Sequence, residues 1–137
     1  SMYSFMEHCK QYDEYNGSVA VVVCDINHLS DINIQYGQKA GNQALINVAG
    51  VLKKILMDRA YIARINEGNF VAVMKNATDA EAGKTFEQIK RTVEKECNNG
   101  KFGVTIEYGI AMRKASNRWI MDIVHEAVND MRDRKGR

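Results

Sequence analysis

The sequence contains no proline, a single tryptophan and only three cysteines among its 137 residues. Without proline the strongest punctuation of a linker is missing. No repeat or low-complexity segment interrupts the chain either, so residues 1–137 read as one domain. Cys9, Cys24 and Cys97 are an odd number at unpatterned spacings, which argues against a disulfide framework and against a zinc site. A reducing, cytoplasmic setting is the expectation. Long apolar runs are missing too: the longest, residues 19–24, is far below the roughly 20 residues of a membrane-spanning helix. This segment is therefore expected to make no membrane contact, although a parent protein could be anchored. Ser1-Met2 opens no secretory pattern. A net charge of +2 supplies no strong field for nucleic acid, and no nucleic-acid partner is expected. The basic tail of Arg132, Arg134, Lys135 and Arg137 reads as a solvated helix end. His8, His28 and His125 are too dispersed for a metal cluster or a nucleophile triad.

What is present is a regular succession of apolar patterns. Residues 3–15 are weakly helical and end at the turn signal Asn16-Gly17. Residues 19–24 form a β-branched run without alternation, as in a strand buried on both faces. From 41 to 57, Ala44, Leu45, Val48, Ala49, Leu52, Ile55 and Leu56 recur at helical steps. The short runs 61–65 and 70–74 flank Asn66-Glu67-Gly68-Asn69, predicting a β-hairpin whose turn uses the tolerance of Asn and Gly for positive φ. Phe86, Ile89, Val93 and Cys97 mark a helix opened near Thr78-Asp79 and stopped by Asn98-Asn99-Gly100. Residues 104–112 read as a further strand. Ile120, Ile123, Val124, Ala127, Val128 and Met131 space out a last helix, with Ser116 or Asn117 as its expected cap. Strands interleaved with one-faced helices predict a sheet covered by helices, an α/β or α+β sandwich, partly antiparallel because of the hairpin.

Three segments carry a resemblance. Asp25-Ile26-Asn27-His28-Leu29-Ser30-Asp31-Ile32-Asn33, followed by Tyr36-Gly37 and Gly41-Asn42, resembles the DxDxFKxxND…G…GD pattern that opens GGDEF domains. Ala63-Arg64-Ile65 leads into Asn66-Glu67-Gly68-Asn69-Phe70, where that family writes AR, an apolar residue and then GGDEF. Residues 104–111, VTIEYGIA, are similar to the family's VTxSxGVA strand. The resemblance implies the α+β nucleotidyl-cyclase palm, a ferredoxin-like βααββαβ core with a mixed, mostly antiparallel sheet of about five strands and helices mainly on one face. In that family two domains meet, each presenting Mg-bound GTP, and each 3′-hydroxyl attacks the other's α-phosphate to give cyclic di-GMP. A homodimer would be the working unit.

Such phosphoryl transfer needs divalent metal held by carboxylates at a strand end. The resemblance places a metal ligand at Asp25, with the Ile26 carbonyl beside it. An Asp here equally caps the next helical turn, and the residues alone leave both readings open. The second acid of the family's DxD is Asn27. The signature's third residue, metal ligand and candidate base in the family, is Gly68, which can do neither; loss of general-base help alone costs about 10²- to 10⁴-fold. Its fourth residue is Asn69, and Glu67 sets a charge where the family keeps glycine against phosphate. Asn33 matches the guanine-reading Asn, or simply satisfies a loop. Asn42 replaces its partner Asp and offers guanine one acceptor oxygen in place of two. Lys135 falls near the family's phosphate lysine. The inhibitory RxxD would fall on Met57 and Ala60, which cannot grip cyclic di-GMP.

No catalytic residue is therefore expected in the loop from Asn66 to Phe70. The expected role is that of a degenerate GGDEF domain, probing GTP or another nucleotide weakly at Asn33, Asn42 and Lys135, with Mg only if a nucleotide binds. It would serve as a regulatory or interaction module in a longer signalling protein, contacting attached or partner domains. The competing expectation is a weakly active diguanylate cyclase, or an altered nucleotide phosphohydrolase, using Asp25 and Glu67 with Mg. A purely structural dimerisation domain is the third.

Overall fold

Val19–Ile26 (β1) is the strand on which the rest is assembled, and the computed structural model describes residues 2–136 around it. Its seven-residue ladder to Asn69–Lys75 (β3) runs from Val19↔Lys75 to Asp25↔Asn69. On its other side it pairs with Ile106–Arg113 (β4), from Val19↔Arg113 to Ile26↔Ile106. Tyr61–Arg64 (β2) completes the sheet in the order β2-β3-β1-β4, and every pairing is antiparallel. Among the described residues the sheet thus has four strands, where about five in a mixed, mostly antiparallel arrangement were expected. The stretch 98–105 holds no strand because its asparagines turn the chain back on itself. Asn98 Oδ1 accepts from Gly100 N at 3.0 Å, and Asn99 Oδ1 accepts from Lys101 N and Phe102 N at 3.0 and 3.1 Å.

The helices are Met2–Cys9 (α1), Leu29–Tyr36 (α2), Gln38–Leu56 (α3), Asp79–Glu96 (α4) and Ile120–Lys135 (α5). From β1 onward the order is βααββαβ with one helix more, as the resemblance implied. The helices do not gather on one face. Ala20, Val22, Cys24 and Ile26 point into a core with α3 and α4, whereas Val19, Val21 and Val23 point into a second core with Phe5 of α1 and Ile123, Val124 and Ala127 of α5. A strand with no polar face must be covered twice, and the unalternating run 19–24 is the reason both faces are covered.

Local details correct some expected boundaries. Thr78 caps α4 with a full capping box: its Oγ1 accepts from Glu81 N at 3.0 Å, and the Glu81 carboxylate reaches back to Thr78 N. The last helix is capped neither by Ser116 nor by Asn117. Trp119 occupies that position without a side-chain bond, and the Ser116 hydroxyl donates instead to Asn16 Oδ1 at 3.1 Å. The 61–74 hairpin forms, but none of its turn residues has positive φ. Asn66 organises the turn through its side chain, Oδ1 accepting from Asn69 N at 3.1 Å.

Gly109 is where sheet and helix come closest. A Cβ there would run into the Ala127 carbonyl and the Met131 backbone, 2.8 Å from the Met131 Cα. The absence of a side chain lets α5 lie directly on β4. Asp130 strengthens that seat by accepting from Ile110 N at 2.8 Å, and Arg134 holds Asp130 in turn at 2.9 Å. The direction of α5 is thereby set, and its last turn arrives over the end of β1.

Candidate functional site

Asp25, the last half-buried polar residue of β1, stands beside Asn69 on one neighbouring strand and Glu107 on the other. The register fixes which loop residue faces it. A Cβ built on Gly68 would lie 3.4 Å from Asp25 Oδ1 and 3.2 Å from Leu29 Cδ2 at the start of α2. Gly68, and no carboxylate, is thus the loop residue aimed at Asp25. Glu67 is exposed, and Arg64 ties the loop down by donating to the carbonyls of Asn66 and Glu67 at 3.2 and 2.7 Å. Lys135 Nζ, from the end of α5, donates to Asp25 Oδ2. Asp25, Gly68 and Lys135 therefore converge, and the two charged members are bonded to each other.

Asn27 turns away from this point. Its backbone N–H donates to the Thr105 carbonyl at 2.9 Å and its side chain to Thr105 Oγ1 at 3.0 Å, which fastens the end of β1 to the approach of β4. Ile26 pairs with Ile106 and buries its side chain, so it can offer a ligand only its carbonyl. Glu107 is engaged by Lys90 of α4 at 3.3 Å.

A second group lies at the α2–α3 junction. Asn33 Oδ1 is buried with no hydrogen-bond partner, and it fits only because Gly41 lacks a Cβ. Asn42 Oδ1 already accepts from Gln38 Nε2 at 3.2 Å. Asn42, Leu45, Ile46, Ala49, Arg64 and Phe70 line an open groove of about 420 Å³. Met57–Arg59, where the resemblance would put the inhibitory motif, is a 3₁₀ turn; Met57 is exposed and Ala60, which follows it, is extended. Burial pushes the Cys24 thiol up to about 12 and the Cys9 thiol to about 11, so neither supplies a nucleophile near neutral pH.

The sequence profile described as Diguanylate cyclase, GGDEF domain, matches residues 3–137. The chain belongs to the GGDEF domain family. Diguanylate cyclase A of Treponema denticola is 27% identical to it over 101 residues, 72% of this chain and 27% of that protein. The structure resembles the GGDEF domain of DgcB from Caulobacter crescentus, solved with c-di-GMP, with TM-score 0.87 and 20% identity over 98% of this chain and 84% of that one. It also resembles diguanylate cyclase SiaD of Pseudomonas aeruginosa, solved with its activator SiaC, with TM-score 0.88 and 17% identity over 98% of this chain and 54% of that one. This GGDEF domain spans only part of the length of such relatives, 27% of Diguanylate cyclase A and 12% of Diguanylate cyclase DgcP of Pseudomonas aeruginosa.

The family's chemistry employs divalent metal, and the residues of this GGDEF domain do not fit one. Asp25 is matched by Lys135 and faces Gly68. Among the described residues, no three His, Cys, Asp or Glu side chains come together to hold an ion. A hard cation needs several oxygens around it, and here one side of the shell has no donor.

The Lys135–Asp25 pair, the Arg64 tether and the buried Arg113, which donates to the Tyr12 carbonyl, were not anticipated from sequence. Arg113 alone had a signal, a basic residue closing an apolar strand. No helix among the described residues is long and apolar enough to cross a membrane.

Proposed function

We propose that this GGDEF domain makes no cyclic di-GMP and acts as a regulatory or interaction module within a larger bacterial signalling protein of the cytoplasm. The observation that carries this reading is Gly68 facing Asp25, where phosphoryl transfer requires a second carboxylate. Three other features support it. Asn27 is committed to Thr105, Asn42 has its one acceptor engaged by Gln38, and Glu67 holds negative charge on the loop that phosphate would approach. Nucleotide recognition is reduced to a weak residue at Asn33, whose side-chain oxygen is buried against Gly41, and Mg would accompany a nucleotide only if one bound. Contact with attached or partner domains is then the output, and a pair of identical domains is compatible with it. Titration calorimetry with Mg-GTP, Mg-ATP and cyclic di-GMP tests this. The expected result is no dissociation constant in the micromolar range for any of the three. Micromolar Mg-GTP binding that disappears in Asp25→Ala would overturn the proposal in favour of a cyclase or phosphohydrolase using Asp25 and Glu67.

A further inference from the structure

Lys135 reaches Asp25 because of how α5 is seated. Gly109 lets the helix backbone rest on β4 at Ala127 and Met131, and Asp130 fixes the rotation by accepting from Ile110 N. Lys135 lies one turn beyond Met131, so the same seat carries its side chain over the end of β1. The pair is half-sheltered, with Lys135 36% and Asp25 24% exposed. Three basic residues, Arg132, Arg134 and Lys135, end the helix, where its carbonyl dipoles favour positive charge. Arg134 is held by Asp130 and stacked on Tyr108, which leaves Lys135 as the cation bonded to Asp25.

We propose that Lys135 is a built-in counter-cation standing at Asp25 in place of a divalent metal, so that the acid fastens α5 to the sheet instead of serving as a ligand. This rests on reading Asp25 as the family's metal position. One carboxylate facing a glycine could collect metal only by giving up its lysine. A lysine already bonded at short range, carried on the same chain, competes with a dilute cation at high effective concentration. The domain accordingly needs no metal to neutralise its strand end, and Lys135 is not free to meet a phosphate unless Asp25 releases it.

The test uses Mn²⁺ alone, without nucleotide, followed by electron paramagnetic resonance on the natural domain and on Lys135→Met, Lys135→Gln and Asp25→Asn/Lys135→Met. Circular dichroism melting shows which variants are folded, and Lys135→Gln is read if Lys135→Met is not. Removing the lysine should raise Mn²⁺ affinity at least tenfold, and the added Asp25→Asn should abolish the gain. Mn²⁺ binding that is the same with and without the lysine, present in both or absent in both, overturns the proposal. So does a gain that survives Asp25→Asn. Because no nucleotide is present, this result stands apart from whether the domain binds or turns over GTP.

Discussion

The two ends of β1 handle a charged residue in opposite ways. At the site end, Asp25 keeps about a quarter of its side chain in solvent and is balanced by one lysine. At the far end, β1 is paired with Arg113, which is 1% exposed and is bonded to no carboxylate among the described residues. Carbonyl groups hold it instead: Tyr12 O and Tyr15 O at 2.8 Å and Arg118 O at 3.2 Å, with Nε left unpartnered. Those carbonyls belong to the turn after α1 and to the loop before α5. The buried guanidinium therefore joins the N-terminal arm to the sheet and to the last helix. Lys75 lies over the rings of Tyr12 and Tyr15, and the Tyr15 hydroxyl reaches Asn76, which secures the same arm to the end of β3. The lesson is that the far end carries the fold, whereas the site end can change its chemistry at small cost in stability.

The largest expected effect comes from the seat that connects the two ends. Gly109→Ala forces a methyl group into the α5 backbone, and a loss of about 3 kcal/mol or more is expected in chemical denaturation, because backbone cannot move aside as a side chain can. Next is Arg113→Met, which keeps the bulk but strips three carbonyls of their donor. It should cost about 2 kcal/mol and speed amide exchange in residues 10–16 much more than in α3. Asp25→Asn should cost under about 1 kcal/mol, since a half-sheltered pair at a surface contributes little. If Asp25→Asn proved as costly as Arg113→Met, the contrast between the ends would fail.

The smallest effect is on pH dependence. His8 stacks on Tyr61 with rings 9° from parallel and bonds Tyr12 and Gln11. Burial, and secondarily Lys75, lower its pKa below 6.5. The unfolded chain then takes up a proton that the folded arm resists, so stability is complete above pH 6.5 and declines as pH falls through that value toward the folded pKa. His8→Phe should keep the stacking and remove this part of the slope, as read from melting temperatures between pH 5 and 8. An unchanged slope would show that the arm is not held in this way.

Much of the architecture was legible because its causes are local. The run 19–24 had no polar alternation, and the strand is buried on both faces; the 3.6-residue stripe from Ala44 to Leu56 gave α3 to within a few residues. Gly109 could be seen as a motif residue, but its reason, contact with a helix about 20 residues further on, exists only in three dimensions. The same limit applies to the site. Gly68 was visible as a missing acid, yet nothing in the order of residues says that Lys135, 110 positions from Asp25, would be bonded to it. Ser116 looked like a cap and was taken by Asn16, a partner 100 residues away. Long-range competition for polar groups is what a linear pattern does not encode.

The most direct test of the central claim is synthesis of cyclic di-GMP from GTP, followed by chromatography with Mg or Mn at a protein concentration high enough to pair domains. The natural domain is expected to give no product. A version carrying Asn66→Gly, Glu67→Gly, Gly68→Asp and Asn69→Glu restores the carboxylate facing Asp25, and is expected to give some, since groups that act as a unit are recovered only together. Product from the natural domain that vanishes in Asp25→Ala would contradict the claim.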